Sequence, residues 1–223
     1  MTPFQRHQML NPAYGCYIWP SALVMAEFVW FFKSEFENKV LLEVGAGTSL
    51  PSLLLAKASI LKRAILSDTQ STLPVIQGCV DLNTLEIPVH IQALNWGTFG
   101  TAEDSIDTFV QNTVEAKWNT KIDYIIGSDT FYEPSQFENL LTLVSYVIHQ
   151  HNPQCKFITA YQERSPKRSI QYLLDKWHLK CKLIPKESFD FDEIKYTHPE
   201  DSLSKVKVNA GSLSSVFVLE ISR

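Results

Sequence analysis

The sequence lacks the features that mark secreted, membrane-spanning or nucleic-acid-coating proteins. Its four cysteines lie far apart, without the CxxC spacing of a zinc or redox site, and we expect reduced thiols. The longest apolar stretches, at residues 22–32 and 49–58, are too short to span a membrane, and residues 1–10 lack the apolar run of a signal peptide. The formal charge of −4 gives no basic excess for DNA or RNA backbones. We therefore expect a soluble intracellular protein with no membrane and no direct nucleic-acid partner.

The apolar residues that are present recur as short runs between helical patterns. Hydrophobic residues make up 45% of the chain, enough for a sizeable core. Strands are predicted at residues 39–44, 63–67, 89–94, 122–127, 156–161, 180–185 and 215–221. Helices are predicted at residues 21–34, 49–58, 69–85, 134–149 and 169–178, with a weaker pattern at 106–116. This alternation predicts an α/β, Rossmann-like, mostly parallel seven-stranded sheet with helices on both faces. We expect one domain over residues 1–223, in which residues 1–35 are an N-terminal extension and helix.

A glycine-rich turn follows the first predicted strand. It reads Glu43-Val44-Gly45-Ala46-Gly47. Its glycines permit a tight turn and let a ligand approach the backbone, and the next predicted helix would direct its N–H groups at that ligand. The dinucleotide fingerprint of dehydrogenases requires a third glycine where Leu50 stands. The turn therefore indicates a nucleotide-type cofactor and counts against an NAD-linked enzyme.

Polar or aromatic residues also end the second and third predicted strands. Asp68 follows Gly47 by about 20 residues, the spacing at which a carboxylate accepts hydrogen bonds from ribose hydroxyls. The sequence leaves open the alternative that Asp68 caps the next helix. Trp96 lies in a polar loop, and we predict that it covers one face of an adenine. Trp30 lies in an apolar helical run, and we predict that it belongs to the core.

A polar segment follows the fourth predicted strand and leads into a helix. It reads Gly127-Ser128-Asp129-Thr130-Phe131-Tyr132-Glu133. Carboxyl ends of parallel strands share one edge of a sheet, so this segment is expected near the glycine turn. His149 and His151 lie at the far end of the helix. We interpret them as a solvated helix end and expect no metal, since no acidic or thiol ligand is near them in the sequence.

Together these motifs resemble the seven-strand S-adenosylmethionine-dependent methyltransferases. The likeness consists of ExGxG after the first strand, an acidic end to the second and a polar loop after the fourth. Trp19-Pro20, Trp96-Gly97 and Asp129-x-x-Tyr132 are further similar to the WP, WG and Asp-x-x-Tyr motifs of methyltransferase family 16, whose members modify lysines or arginines of proteins. Additional similar stretches lie at residues 14–20, 50–51, 128–134, 161–165 and 184–190. The resemblance covers roughly residues 14–192.

The resemblance implies a class I methyltransferase fold, S-adenosyl-L-methionine as cofactor and a role for each matching residue. Cofactor contacts are implied for Trp19 at the methionine end, Gly45, Ala46 and Gly47 as the backbone cradle, Glu43 ordering that cradle from the strand below, Asp68 at the ribose hydroxyls, Trp96 by the adenine, and Ser128 on the other side. Asp129, Tyr132 and Glu133 are implied as catalytic residues that flank the methyl group and the incoming nucleophile. The alternative for Asp129 is that it caps the helix beginning at Pro134.

The resemblance also implies a protein substrate. It indicates methylation of arginine in histone H3 or another basic protein, with protein-lysine methylation as the alternative and a non-catalytic binding protein on the same fold as the third possibility. The acidic segment with Glu187, Asp190, Asp192 and Glu193 is predicted to receive a basic peptide such as a histone tail, although a solvated loop accounts for its composition equally well. We expect a monomer that acts in the cytoplasm and the nucleus.

Overall fold

The computed structural model describes residues 15–162, 169–197 and 213–223, which build a seven-stranded sheet. The strands are β1 (Val40–Val44), β2 (Arg63–Asp68), β3 (Val89–Ala93), β4 (Tyr124–Ser128), β5 (Lys156–Gln162), β6 (Lys180–Ile184) and β7 (Val216–Ser222). Their order is β3-β2-β1-β4-β5-β7-β6. Only β7 among them pairs antiparallel, with β5 and β6. The predicted Rossmann-like, mostly parallel sheet is confirmed. Tyr14, Arg164 and Ser165, which contributed to the resemblance, lie outside the described residues.

Helices cover both faces of the sheet. The α-helices are α1 (Pro20–Phe31), α2 (Leu50–Lys57), α3 (Leu73–Asp81), α4 (Ile106–Phe109), α5 (Phe137–Tyr146), α6 (Gln171–Lys176) and α7 (Ile194–Thr197). Wider π-type turns continue α4 through Val110–Lys117 and α5 through Val147–His151. Short 3-10 turns lie at Lys33–Phe36, Pro134–Gln136 and Lys186–Phe189. In the part of the chain that the structure describes, every helix is too short or too polar to cross a bilayer.

Side-chain alternation along β1 shows how the two cores are divided. Val40, Leu42 and Val44 pack with α4, α5 and α6 on one face, whereas Leu41 packs with α1, α2 and α3 on the other. Each of these side chains is fully buried, and burying such a side chain contributes about 1.5–3 kcal/mol. The same alternation directs Glu43 to the face of α1, α2 and α3.

The strand order reverses beside β1. From β1 the chain continues outward to β2 and β3, whereas β4 and β5 lie on the opposite side of β1. Ligands of open α/β sheets bind at the carboxyl ends of the strands that flank such a reversal. The glycine turn follows β1 and the Ser128–Glu133 segment follows β4, so the sequence motifs meet at this position.

Two interpretations of single residues are wrong. Trp30 is 41% exposed and lies beside Lys33, whose ammonium group is 4.8 Å from the indole centroid. His151 is buried. Its Nε2 accepts the N–H of Ile122 at 2.9 Å, and its Nδ1 lies 2.6 Å from Glu115 Oε1. This histidine therefore joins the end of α5 to the start of β4. Within the described ranges no group of histidine, cysteine and acidic side chains could hold a metal ion.

Candidate active site

The glycine turn after β1 uses backbone angles that favour glycine. Gly45 has φ +61° and Gly47 has φ +50°, in the left-handed region where a Cβ is strained. The N–H of Ala46 donates to the carbonyl of Ser67 at 3.0 Å, which ties the turn to the end of β2. A Cβ on Gly47 would lie 3.2 Å from the carbonyl oxygen of Gly15. The missing side chain therefore lets the segment before α1 lie against the turn.

Asp68, at the end of β2, braces the same turn. Its Oδ2 accepts the N–H of Gly47 at 3.0 Å, and its Oδ1 accepts the N–H of Thr69 at 2.7 Å. Burial raises the pKa of Asp68, and these hydrogen bonds oppose the rise. The alternative that Asp68 caps the next helix is wrong, because α3 begins at Leu73 with Thr72 in the capping position. Each carboxylate oxygen has a further lone pair, so Asp68 can also accept the ribose hydroxyls.

Glu43 lies beneath the turn, buried to 1% exposure. Burial is the main cause that raises its pKa to about 8; hydrogen bonding from Ser52 opposes the rise, and the nearby Asp68 adds to it. Glu43 is therefore mostly a neutral carboxylic acid at pH 7. Its backbone carbonyl accepts the hydroxyl of Ser67 at 2.8 Å. These contacts join β1, β2 and the first turn of α2, the position from which Glu43 was predicted to order the cradle.

The segment before α1 leads from the glycine turn to Trp19. Gly15 lies against Gly47, and a Cβ on Gly15 would be only 2.6 Å from Cγ2 of Thr72. Trp19, half-buried and extended, is the N-cap of α1, and its carbonyl accepts the N–H of Ala22 at 2.9 Å. The structure thus brings the start of α1 to the cofactor side of the sheet. The contact of Trp19 with the methionine end stays a prediction.

Trp96 lies directly over the glycine turn. A Cβ on Gly45 would be 3.1 Å from Cζ2 of Trp96 and 3.3 Å from Cγ2 of Thr130. Gly97, with φ +77°, lets the loop pack against Asn139 of α5, since a Cβ there would meet the Asn139 side chain at 2.6 Å. The structure therefore brings Trp96 to the turn, as the sequence predicted, and its role beside the adenine stays a prediction.

The loop after β4 holds its two carboxylates in different environments. Asp129 is 7% exposed, has a left-handed φ of 58°, and donates its N–H to the carbonyl of Ala160 at 2.7 Å. Glu133 caps the turn Pro134–Gln136, because its carboxylate accepts the N–H and the hydroxyl of Ser135 at 3.2 and 3.1 Å. The alternative that Asp129 is the cap is therefore wrong. Tyr132, which precedes Glu133 in the chain, is half-buried. The catalytic roles of Asp129, Tyr132 and Glu133 stay predictions.

The acidic segment after β6 lies at the same edge of the sheet. Phe189 packs edge-on against Phe28 of α1 at 5.5 Å, and Phe191 stacks on Tyr196 at 6.0 Å. Lys186 donates to the carbonyl of Leu213, just before β7, at 2.7 Å. The aromatic rings thus fix the segment on α1. The segment leaves Glu187, Asp190 and Asp192 exposed to solvent.

Sequence reasoning missed several residues of the site. Thr130 is buried against the positions of Gly45 and Gly127, and Ser52 lies beside Glu43. Neither shows a spacing or residue type that distinguishes it from an ordinary loop or helix residue. Gly15 is different, because a glycine that close to the WP motif suggests a near approach of two backbones.

The orphaned polar atoms around the turn fit a cofactor with amino, carboxylate and hydroxyl groups. Oε2 of Glu43 and the hydroxyls of Ser49 and Ser128 are buried without a hydrogen-bond partner among the described residues. Buried polar atoms in proteins are almost always hydrogen-bonded. These three lie on β1, at the start of α2 and at the end of β4, which border the glycine turn. Hydrogen-bonding groups of this kind fit the amino, carboxylate and hydroxyl groups of S-adenosylmethionine.

Comparison with solved structures supports the fold. An S-adenosylmethionine-dependent methyltransferase from Aquifex aeolicus has a TM-score of 0.56 at 13% identity and covers 95% of this chain and 98% of its own. The magnesium protoporphyrin IX methyltransferase of Synechocystis, solved with bound S-adenosylhomocysteine, has a TM-score of 0.53 at 9% identity and covers 92% of this chain and 85% of its own.

Sequence comparison supplies the family. The family model described as lysine methyltransferase, family 16, matches residues 4–175. The histone-arginine methyltransferase METTL23 of Xenopus laevis is 37% identical, over 83% of this chain and 73% of its own length. The human protein of that name is 34% identical, over 79% of this chain and 86% of its own. The protein-lysine methyltransferase METTL21E of Mus musculus is 31% identical, over 57% of this chain and 49% of its own. The chain therefore belongs to the family 16 lysine methyltransferases and is an S-adenosylmethionine-dependent protein methyltransferase.

Proposed function

We propose that this protein transfers a methyl group from S-adenosylmethionine to arginine side chains of a histone or another basic protein. The observation that carries the proposal is the identity of 34–39%, over 79–83% of this chain, with four relatives named histone-arginine methyltransferase. The arginine assignment goes beyond the family description, which names lysine.

The proposed cofactor contacts rest on the family resemblance, and the geometry of the turn is consistent with them. The backbone of Gly45, Ala46 and Gly47 would hold the methionine portion, and Asp68 would accept the ribose hydroxyls. Trp96 would lie against the adenine, and Trp19 and Ser128 would border the methionine and ribose sides. The cofactor, when bound, supplies a methyl group that its positive sulfur already activates. The protein must align the nucleophile, exclude water and accommodate one proton.

The resemblance implies that Asp129 flanks the methyl group, and we assign it the orientation of a guanidinium. The guanidinium of arginine stays protonated at neutral pH, so it needs an anionic acceptor for its N–H groups. Glu133 caps the turn Pro134–Gln136 through Ser135, and burial favours the neutral acid form of Glu43. Following the resemblance, we give the orienting role to the Asp129 carboxylate, with Tyr132 next to it, and give Glu133 a lesser part.

The second candidate is methylation of lysine. It is favoured by the description of the matching family and by the lysine-specific relative METTL21E. A lysine amine must lose its proton before it attacks, whereas a guanidinium loses its proton during or after transfer. The two reactions therefore place different demands on the same carboxylate.

We further propose a monomer with one domain over residues 1–223, in which residues 1–35 precede β1. The proposed substrate, a histone tail or other basic peptide, would be attracted by the exposed carboxylates of Glu187, Asp190 and Asp192. The protein would recognise neither nucleic acid nor membrane directly. A histone substrate would be met in the nucleus, and newly made histones in the cytoplasm, so we propose action in both.

Matched peptides distinguish the two candidates. The purified protein is incubated with radiolabelled S-adenosylmethionine and three forms of a histone H3 tail peptide: native, all arginines changed to lysine, and all lysines changed to arginine. We expect label in the native and the lysine-free peptides only, with methylarginine identified by mass spectrometry. Methyllysine in the arginine-free peptide would establish the second candidate. Absence of label from all three and from a panel of intact basic proteins would overturn the proposal.

A further inference from the structure

The side chain of Thr130 occupies a gap that two glycines leave open. Thr130 is 2% exposed. Its Cγ2 lies 3.3 Å from the position that a Cβ on Gly45 would take and 2.9 Å from the corresponding position of Gly127. Its Oγ1 is 3.4 Å from Oγ1 of Thr159, longer than a normal O–H···O hydrogen bond. Oγ1 also lies 3.2 Å from the Cβ position of Gly127, but the Thr130 atom nearest to the Cβ position of Gly45 is the methyl carbon Cγ2.

The neighbours of Thr130 explain why this placement matters. Asp129 precedes it in a left-handed conformation, which is strained for a residue with a Cβ and persists only where the surroundings impose it. Phe131 follows it, buried at 5% exposure and edge-on to Phe137 at 5.2 Å. The chain is thus fixed on one side of Asp129 by the Ala160 hydrogen bond. On the other side it is fixed by Thr130 and Phe131.

We propose that Thr130 is a positioning residue for methyl transfer. Its methyl group, held between Gly45 of the cofactor turn and Gly127 of β4, sets the Asp129 carboxylate relative to the cofactor turn. The inference rests on the proposed role of Asp129 and adds a residue that no motif indicates, Thr130. Its side chain lies between the glycine turn and β4, and this role requires no contact with the substrate.

Three variants test the positioning role of the Thr130 methyl group. Thr130→Ser removes the methyl group and keeps the hydroxyl, whereas Thr130→Val keeps the methyl group and removes the hydroxyl. Thr159→Ser is the matched control, since it deletes a methyl group from the buried threonine beside Thr130, and no Thr159 atom is among the three nearest to the Cβ position of Gly45. For each variant we measure kcat and KM on the protein substrate, the Kd of S-adenosylhomocysteine by calorimetry, and Tm.

Misplacement of a reacting group by a fraction of an ångström lowers the rate more than binding. We expect Thr130→Ser to lower kcat by about tenfold, with the Kd of S-adenosylhomocysteine and the KM changed much less. Thr130→Val should retain most of the wild-type kcat, and Thr159→Ser should lower Tm without lowering kcat. Equal kcat for Thr130→Ser and Thr159→Ser, or equal losses in Thr130→Ser and Thr130→Val, would overturn the inference. A wild-type protein that binds S-adenosylhomocysteine but methylates no basic protein would instead refute the proposed function, and the positioning role with it.

Discussion

Replacing Asp68 by alanine is the most direct test of the cofactor site. The substitution removes the acceptor of the Gly47 N–H at 3.0 Å and of the Thr69 N–H at 2.7 Å, and with it the proposed acceptor of the ribose hydroxyls. Hydrogen bonds to a charged group contribute about 1.5–3 kcal/mol each. Part of the lost free energy lowers the stability of the free protein, because Asp68 holds the turn through Gly47 and Thr69 before any ligand binds.

The expected net effect on binding is ~1–3 kcal/mol, which corresponds to a weakening of roughly 5- to 150-fold in Kd. Isothermal calorimetry with S-adenosylhomocysteine measures it directly, and thermal melts report the stability cost separately. Asp123→Ala is the matched control, since Asp123 Oδ2 accepts the N–H of Val40 at 2.8 Å, at the opposite end of β1. It should lower Tm and leave Kd unchanged. A Kd for Asp68→Ala within twofold of the wild type would show that Asp68 does not contact the cofactor.

Four further changes test the remaining groups. Gly47→Val should abolish binding of S-adenosylhomocysteine, since φ is +50° and the new Cβ would meet Gly15; retained affinity in calorimetry contradicts the cradle. Asp129→Asn should lower single-turnover transfer by ~10²-fold with Kd unchanged, whereas lower Tm with normal turnover would make Asp129 structural. Glu133→Gln should reduce turnover less and leave Tm close to the wild type, since the glutamine amide oxygen can still accept the hydrogen bonds of Ser135; an effect on turnover equal to that of Asp129→Asn refutes this division. The folded state keeps the Glu43 proton that the unfolded chain releases above pH about 4.5, so stability should fall as pH rises to about 8; melts of Glu43→Gln should show a smaller fall.

The strands and their ends could be predicted because each is a short apolar run closed by a glycine or polar residue. In a parallel sheet such ends share one edge, so Gly45, Asp68 and Ser128 could be placed together from the sequence alone. The polar loop around Trp96 already indicated a site role for that residue, whereas only the family motifs added Trp19. These predictions needed only local pattern and strand direction.

The errors arose where a distant or competing partner decides the structure. The predicted helix at residues 69–85 begins only at Leu73, because Thr69 turns back to bind Asp68. His151 was interpreted as solvated, but its partner Glu115 lies 36 residues away in the sequence. Trp30 is exposed although α1 is apolar on every side, so periodicity could not tell which face is covered. Thr130 packs where Gly45 and Gly127 have no side chain. No property of a threonine in the sequence predicts that position.

The charges of the site give a physical reason for assigning Asp129 to an arginine substrate. The sulfonium of the cofactor and a guanidinium both carry a positive charge, and at 4 Å such a pair repels by about 4 kcal/mol at an effective dielectric constant of 20. In its proposed orienting role, the negative charge of Asp129 would offset that repulsion. A lysine substrate attacks as a neutral amine and meets no such repulsion, so loss of the Asp129 charge should slow arginine methylation more than lysine methylation.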